Sequence, residues 1–298
     1  MHHWDLTPVV HFLECKRKWK TNDVTGVEMR RNRVLAVAAL CLVLAVAAGC
    51  GGTNAAKTSK AEDSIYEVSA LSVLKAGVYD GQVTVKELKT HGDFGLGTYE
   101  GLDGEMVVLD GVVYRIGVDG VPEVPADTML VPWASVTKFS DELDGSASAK
   151  ATMADLTAYL DTLIPTKNTF YAVRIHGEFA SVKARSEPRQ SKPYQPLAQV
   201  LQGQKIFPLT NVTGTLVGIR SPEYTDGVNK PGYHFHFITD DRKAGGHVLD
   251  LSLKSGTIQI DQDRALQMAL PDSKEFDDAT PVLTPATPST TGTSPSHP

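Results

Sequence analysis

The sequence predicts an α+β fold that is predominantly β, built as two mainly β subdomains with few helices. Three observations predict it. Between about residues 62 and 276, most apolar runs are short and β-branched, and the clearest pair is joined by Asp110-Gly111. Helical spacing is confined to a few short segments. A polar stretch, 141–149 (DELDGSASA), interrupts the series and marks a boundary between subdomains of about 62–145 and 150–276. The 298 residues are 41% hydrophobic and 21% charged, so there is apolar surface enough for a sizeable core. A net charge of -6 leaves no basic surplus and argues against nucleic acid as a partner. The three cysteines all lie at or before position 50, which leaves no internal disulfide in the folded part.

The first fifty residues read as an address. Arg30, Arg31 and Arg33 precede an uninterrupted apolar run from Val34 to Ala48 that ends Ala47-Ala48-Gly49-Cys50. The run suits a signal peptide and falls short of the roughly 20 residues that span a bilayer. Its ending resembles a bacterial lipobox, which implies that 29–49 is removed and that the chain is extracytoplasmic, anchored to the membrane through lipidated Cys50. Residues 1–28 precede that signal awkwardly and read as a translation-start artefact, so His2, His3, Trp4 and His11 should carry no function. Residues 50–61 read as a flexible tether. The stretch 277–298, rich in Thr, Pro and Ser, reads as a disordered tail.

Within the folded part, short helices are expected at 69–76, 85–89, 152–163 and 197–202. The third has Thr152 as N-cap and Asp155 three residues on, close to a capping box, with Leu156, Tyr159, Leu160 and Leu163 on one face. Strands are expected at 106–116, as a hairpin about Asp110-Gly111, then at 169–179, 212–219, 233–238, 247–253 and 256–260.

Three histidines carry the strongest chemical signal. His234 and His236 stand two apart in an expected strand, so both imidazoles point to one face and Phe235 and Phe237 to the other. A polar turn, 239–246, then returns the chain to His247, which a hairpin brings beside His236. Three imidazoles at three corners of a tetrahedron leave the fourth to water or substrate, the arrangement of a catalytic zinc. Imidazole alone also suits other first-row metals. His91 and His176 stand apart from this cluster and read as structural or surface residues.

Two further regions add chemistry. The glycine-rich stretch 91–110 does not complete G-x-G-x-x-G and leads into no clear helix, which argues against dinucleotide binding; Glu105 within it could be an ion-pair partner or a proton-transfer group. The stretch 182–208 holds Arg185, Arg189 and Lys192 between prolines. It reads either as a solvated loop or as a rigid basic loop that grips a carboxylate.

Taken together these stretches resemble the bacterial acetolactate decarboxylase family. The resemblance is carried by HGDFGLGTYEGLDGEMVVLDGVVYRI (91–116), VPWASVTKF (131–139), VKARSEPRQSKPYQPLAQVLQGQKIF (182–207) and NVTGTLVGIRSPEYTDGVNKPGYHFHFITDDRKAGGHVLD (211–250). It implies two mainly β subdomains, a homodimer, and zinc held by His234, His236 and His247. It matches Arg185 to the family's active-site arginine, and Thr98 and Glu105 to its pocket threonine and glutamate. The implied reaction is zinc-dependent decarboxylation of 2-acetolactate to acetoin and carbon dioxide, in acetoin and butanediol biosynthesis. In it the metal stabilises the enediolate, Arg185 orients the substrate and helps deliver the proton, and Glu105 shuttles a proton or positions the groups on zinc. One departure stands out. Some family members place a C-terminal glutamate in the site, and none of Glu275, Asp277 or Asp278 can be matched to it. Two other readings remain. A non-catalytic zinc-binding surface lipoprotein would have no need of Arg185, Thr98 and Glu105, and a zinc hydrolase would lack the usual His-Glu-x-x-His helix.

Overall fold

The computed structural model describes residues 12–13, 63–147 and 150–283. The segment 29–49 expected as a signal peptide, Cys50, the stretch to 61 expected as a tether, residues 1–11 and 14–28, and the chain from 284 lie outside the described residues. The first half of the chain supplies β1 (Ser64–Val68), α1 (Leu71–Lys75), α2 (Val85–His91), β2 (Phe94–Thr98), β3 (Glu105–Leu109), β4 (Val112–Ile116), β5 (Pro122–Glu123), β6 (Trp133–Thr137) and β7 (Leu143–Ala147). The second half supplies α3 (Met153–Leu163), β8 (Phe170–Ser186), α4 (Leu197–Val200), β9 (Lys205–Ser221), β10 (Gly232–Thr239), β11 (Gly245–Asp263), β12 (Ala265–Ala269) and α5 (Lys274–Asp277).

Two large sheets result, so the architecture is α+β and mostly β, as expected. The first runs β12-β1-β6-β2-β3-β4-β5, antiparallel except for the parallel pair β12–β1. The second runs β7-β11-β8-β9-β10, with Phe12 and Leu13 paired onto the far side of β7 at Ala147 and Ser146, and β10 pairs back onto β11. Thus β11, β8, β9 and β10 close into a ring. The long strand β8 bends to allow this, with register shifts against β11 at Glu178/Phe179, Phe179/Ser181 and Lys183/Ala184.

Several elements follow from local chemistry. Asp110 and Gly111 adopt φ of 52° and 75°, so the expected hairpin turn has both central residues left-handed. The capping box of α3 is complete: the Asp155 N–H donates to Thr152 Oγ1 at 3.2 Å, and the Thr152 N–H donates to Asp155 Oδ2 at 3.0 Å. Leu156, Leu160 and Leu163 are buried from that helix, each contributing about 1.5–3 kcal/mol.

Other elements depart from expectation. The stretch 141–149, expected as a polar linker, contains β7, which pairs with β11 from Leu143↔Ile260 to Ala147↔Gly256. A strand near the edge of its sheet needs few inward apolar residues, and here only Leu143 and Ala147 are buried. β12, late in the chain, joins the first sheet rather than the second. The segments 247–253 and 256–260 are one strand, β11. The described chain also runs past 277, and the Val282 N–H donates to Ser72 O in α1 at 2.9 Å.

The pleat sorts side chains into two cores. Phe235 and Phe237 pack inside the ring with Leu216, Ile175 and Phe179, against the leucines of α3. Val217, Ile219 and Ile238 face the first sheet, where Leu96, Val107 and Trp133 meet them. His234 and His236 alternate with the two phenylalanines, so they belong to this second, inter-sheet face.

Candidate active site

The site forms where the two sheets meet, and each sheet supplies part of it. In the second sheet, Arg185, His247 and His236 stand in one row across β8, β11 and β10, directly opposite one another in register. His234 lies two residues further along β10. In the first sheet, Thr98 on β2 is opposite Glu105 on β3. All six residues line one cavity of about 360 Å³, so the residues singled out from the sequence come together.

Tight backbone packing sets this row. Gly246 has φ +140°, and a Cβ there would lie 2.5 Å from the Arg185 carbonyl oxygen. Only glycine lets β11 approach β8 closely enough to place His247 beside Arg185. Gly104, with φ +94°, does the same before Glu105, where a Cβ would sit 2.6 Å from Ile116 O.

The three imidazoles converge. His247 Nδ1 lies 3.0 Å from His234 Nε2 and 3.3 Å from His236 Nε2, and one nitrogen from each ring lies within 4.8 Å of the others. Burial holds His236 down to about 3, with the nearby Arg185 and Lys230 charges adding to it. Burial likewise pushes His234 and His247 well below the ordinary histidine range, so all three rings are neutral. His236 Nδ1 donates to the Met106 carbonyl at 2.7 Å, which leaves the lone pair on Nε2 facing the other rings. Trp133 stacks on His234 at 5.6 Å. A tetrahedral ion bound through nitrogens at about 2.05 Å needs them roughly 3.3 Å apart, so these neutral donors fit a divalent first-row ion with a corner left open.

Beside the histidines lies a buried charge cluster. Arg185 Nη1 donates to Glu105 Oε1 at 2.9 Å and to Glu187 Oε2 at 2.8 Å. Burial opposes the Arg185 charge, but the two carboxylates outweigh it and raise its affinity for the proton. Burial, then repulsion from Glu187, pushes Glu105 well above the usual carboxylate range, against the pull of Arg185. Glu105 Oε2 also lies 3.3 Å from His236 Nε2. Thr98 Oγ1 donates to Gly104 O at 2.8 Å, tying β2 to the turn that delivers Glu105.

The basic loop resolves differently from the carboxylate grip considered above. Arg185 is not in a loop at all; it lies near the end of β8. Lys192 is bound by Asp80 at 2.7 Å and Arg189 by Asp103 at 3.5 Å, so neither is an open receptor. The loop's role is to cap: Tyr194 and Leu197 pack onto the inter-sheet core, and Leu197 lines the cavity. His91 stacks on Tyr66 at 3.6 Å, and exposed His176 meets Asp240 at 3.1 Å, both outside the cavity. Sequence reasoning missed Glu187, Lys75, Lys230 and Trp133 as lining residues. Glu187 had a usable signal, because it is an acid two residues after Arg185, just past the end of the strand that carries the arginine.

A β-rich fold that presents a neutral three-histidine cluster beside a buried carboxylate–guanidinium group defines an enzyme site capable of holding a metal ion. The profile of the family "Alpha-acetolactate decarboxylase" matches residues 65–281. An alpha-acetolactate decarboxylase of Methanosarcina mazei is 48% identical over 219 residues, covering 74% of this chain and 76% of that protein. That of Bacillus subtilis is 39% identical over 212 residues, covering 71% and 83%. A crystal structure of alpha-acetolactate decarboxylase from Bacillus subtilis strain 168 superposes with a TM-score of 0.72 at 38% identity, covering 73% of this chain and 93% of that one. The chain belongs to the alpha-acetolactate decarboxylase family and is a carboxy-lyase.

Proposed function

We propose that this chain converts 2-acetolactate to acetoin and carbon dioxide in acetoin and butanediol biosynthesis, with zinc held by His234, His236 and His247. The observation that carries this reading is the convergence of Thr98, Glu105, Arg185 and the three histidines on one cavity, in a chain of this family. At about 360 Å³ the cavity sits at the small end of ligand pockets, suited to a compact substrate.

The chemistry follows from the substrate. Breaking the bond to the carboxylate leaves an electron pair, which the neighbouring ketone takes up. A zinc ion at the histidines would supply Lewis-acid polarisation of that ketone. The carbon that lost carbon dioxide must then gain a proton. Glu105, buried and repelled by Glu187, holds a proton more tightly than an ordinary carboxyl and is placed to deliver it. Arg185 fixes the Glu105 carboxyl through its 2.9 Å contact and stabilises the carboxylate that results. Solvent restores the proton, so one proton is consumed per acetoin. Thr98 holds the wall beside Glu105.

Purified chain from residue 51 onward, incubated with racemic 2-acetolactate, tests the reading by an acetoin colour assay. Acetoin release is expected, and a folded, zinc-loaded protein that releases none contradicts it. The pattern at 29–50 further supports export with anchoring through lipidated Cys50, and the family resemblance supports a homodimer. A Cys50→Ser variant that stays with membranes, or a monomer by sedimentation, would contradict these two inferences.

A further inference from the structure

Arg185 lines the cavity with one nitrogen of its guanidinium already engaged. Its Nη1 is already shared by Glu105 and Glu187, and this buried trio has two acidic members to one basic. A substrate carboxylate adds a further negative charge. Besides the ion that the three histidines would hold, further cations on the cavity wall would help draw it in.

Two lysines line the same cavity: Lys75, at the end of α1, and Lys230, in the loop 222–231 that precedes β10. Neither meets a carboxylate among the described residues, and these two are the lysines that line this cavity. Lys230 keeps an exposed side and Lys75 is half-buried, as residues at a mouth would be.

Their placement is fixed by one hydrogen-bonded unit. The Leu71 N–H donates to Val228 O at 2.9 Å and the Ser72 N–H to Gly227 O at 2.8 Å, docking α1 on the loop. Asn229 is fully buried. Its Nδ2 donates to both Glu67 carboxylate oxygens, at 3.2 and 3.1 Å, and its Oδ1 accepts the Lys230 N–H at 2.7 Å. Burial lowers the affinity of Lys230 for its proton, and the charges of Arg185 and Lys75 lower it further, so three cations converge on one space.

We propose that Lys75 and Lys230 form a cationic mouth that captures the carboxylate of the substrate, setting KM and the capture rate. This rests on 2-acetolactate being the substrate. A tight ion pair at the reacting carboxylate would stabilise the ground state and slow loss of carbon dioxide, so a mouth position serves capture without slowing chemistry. One unscreened charge several ångströms from the anion is worth about threefold in capture, and two about tenfold.

Steady-state kinetics of the zinc-loaded enzyme on racemic 2-acetolactate, between about 0.01 M and 1 M salt, test this, since screening shortens from about 30 Å to 3 Å over that range. Wild-type kcat/KM is expected to fall about tenfold across it. The K75Q/K230Q variant is expected to start several-fold lower at low salt, through KM, with a shallower salt profile than wild type and kcat within about twofold. The K75R/K230R variant should keep the wild-type salt slope. A double glutamine variant with wild-type KM and salt slope overturns the proposal. So does a flat wild-type profile, which needs no variant. Wild-type protein that releases no acetoin overturns the substrate assignment instead.

Discussion

Replacing Arg185 by Met leaves Glu105 and Glu187 facing each other with no cation between them. Both now bond the same Nη1, at 2.9 and 2.8 Å, so their oxygens are at most about 5.7 Å apart. At an effective dielectric of about 20 their mutual repulsion is about 3 kcal/mol, and removing one partner of a buried pair costs about 3–5 kcal/mol in all. Both carboxylates are nearly inaccessible, so solvent screens little of this. The variant can relieve the repulsion only by holding a proton. Its folded state then binds protons more tightly than its unfolded state, and stability falls as pH rises. Urea denaturation at pH 5 and pH 8 reads the effect. The deficit of Arg185→Met relative to wild type should grow with pH, by as much as about 3 kcal/mol, and adding Glu187→Gln should remove most of that growth. The single variant should also release no acetoin while keeping its metal. A deficit equal at both pH values, or untouched by Glu187→Gln, would refute the reasoning.

Three further predictions concern other parts of the molecule. Burial, reinforced by repulsion from Asp263, lifts Asp261 to about 8, and burial lifts Asp263 to about 7. Their contribution to stability is therefore full below about pH 4 and lost as pH climbs through the folded values. Asp261→Asn should gain stability relative to wild type between pH 5 and 9 in urea titrations, and a pH-independent difference would contradict this. Gly246→Ala forces a Cβ to within 2.5 Å of the Arg185 carbonyl at φ +140°. It should cost about 1–3 kcal/mol and lower acetoin release, since Arg185 and His247 are displaced together; wild-type turnover would contradict the row's importance. Thr152→Ala removes the capping box of α3 and should cost about 1 kcal/mol by thermal melting, with acetoin kinetics unaltered because α3 packs away from the cavity.

Much of the site was legible because it obeys the period of a strand. His234 and His236 share a face by spacing alone, and the turn at 239–246 dictates the return of His247. The Asp110-Gly111 hairpin and the Thr152 cap were legible for the same kind of reason, since each is a local rule with one strong solution. What escaped was non-local. Phe94–Thr98 reads FGLGT, where glycines hide the alternation, yet Gly97 is required because a Cβ would meet Trp133 O at 2.6 Å. β7 carries a polar sequence because it lies near an edge of its sheet, so composition alone suggested a linker. The ends of β8 and β11 could not be fixed from propensity, since each strand is held by its neighbours along nearly its whole length. Lys75 and Lys230 belong to a short helix and a loop that come together only through the α1–loop contact, and a lone lysine carries no signal of its own.

The central claim is that turnover depends on zinc held by His234, His236 and His247. The most direct measurement is acetoin formation from racemic 2-acetolactate by purified protein, before chelation, after complete removal of metal, and after zinc is added back, with His236→Ala alongside. The account predicts that chelation abolishes acetoin formation, that zinc restores it, and that zinc does not rescue His236→Ala. Undiminished turnover by folded, metal-free protein would contradict it.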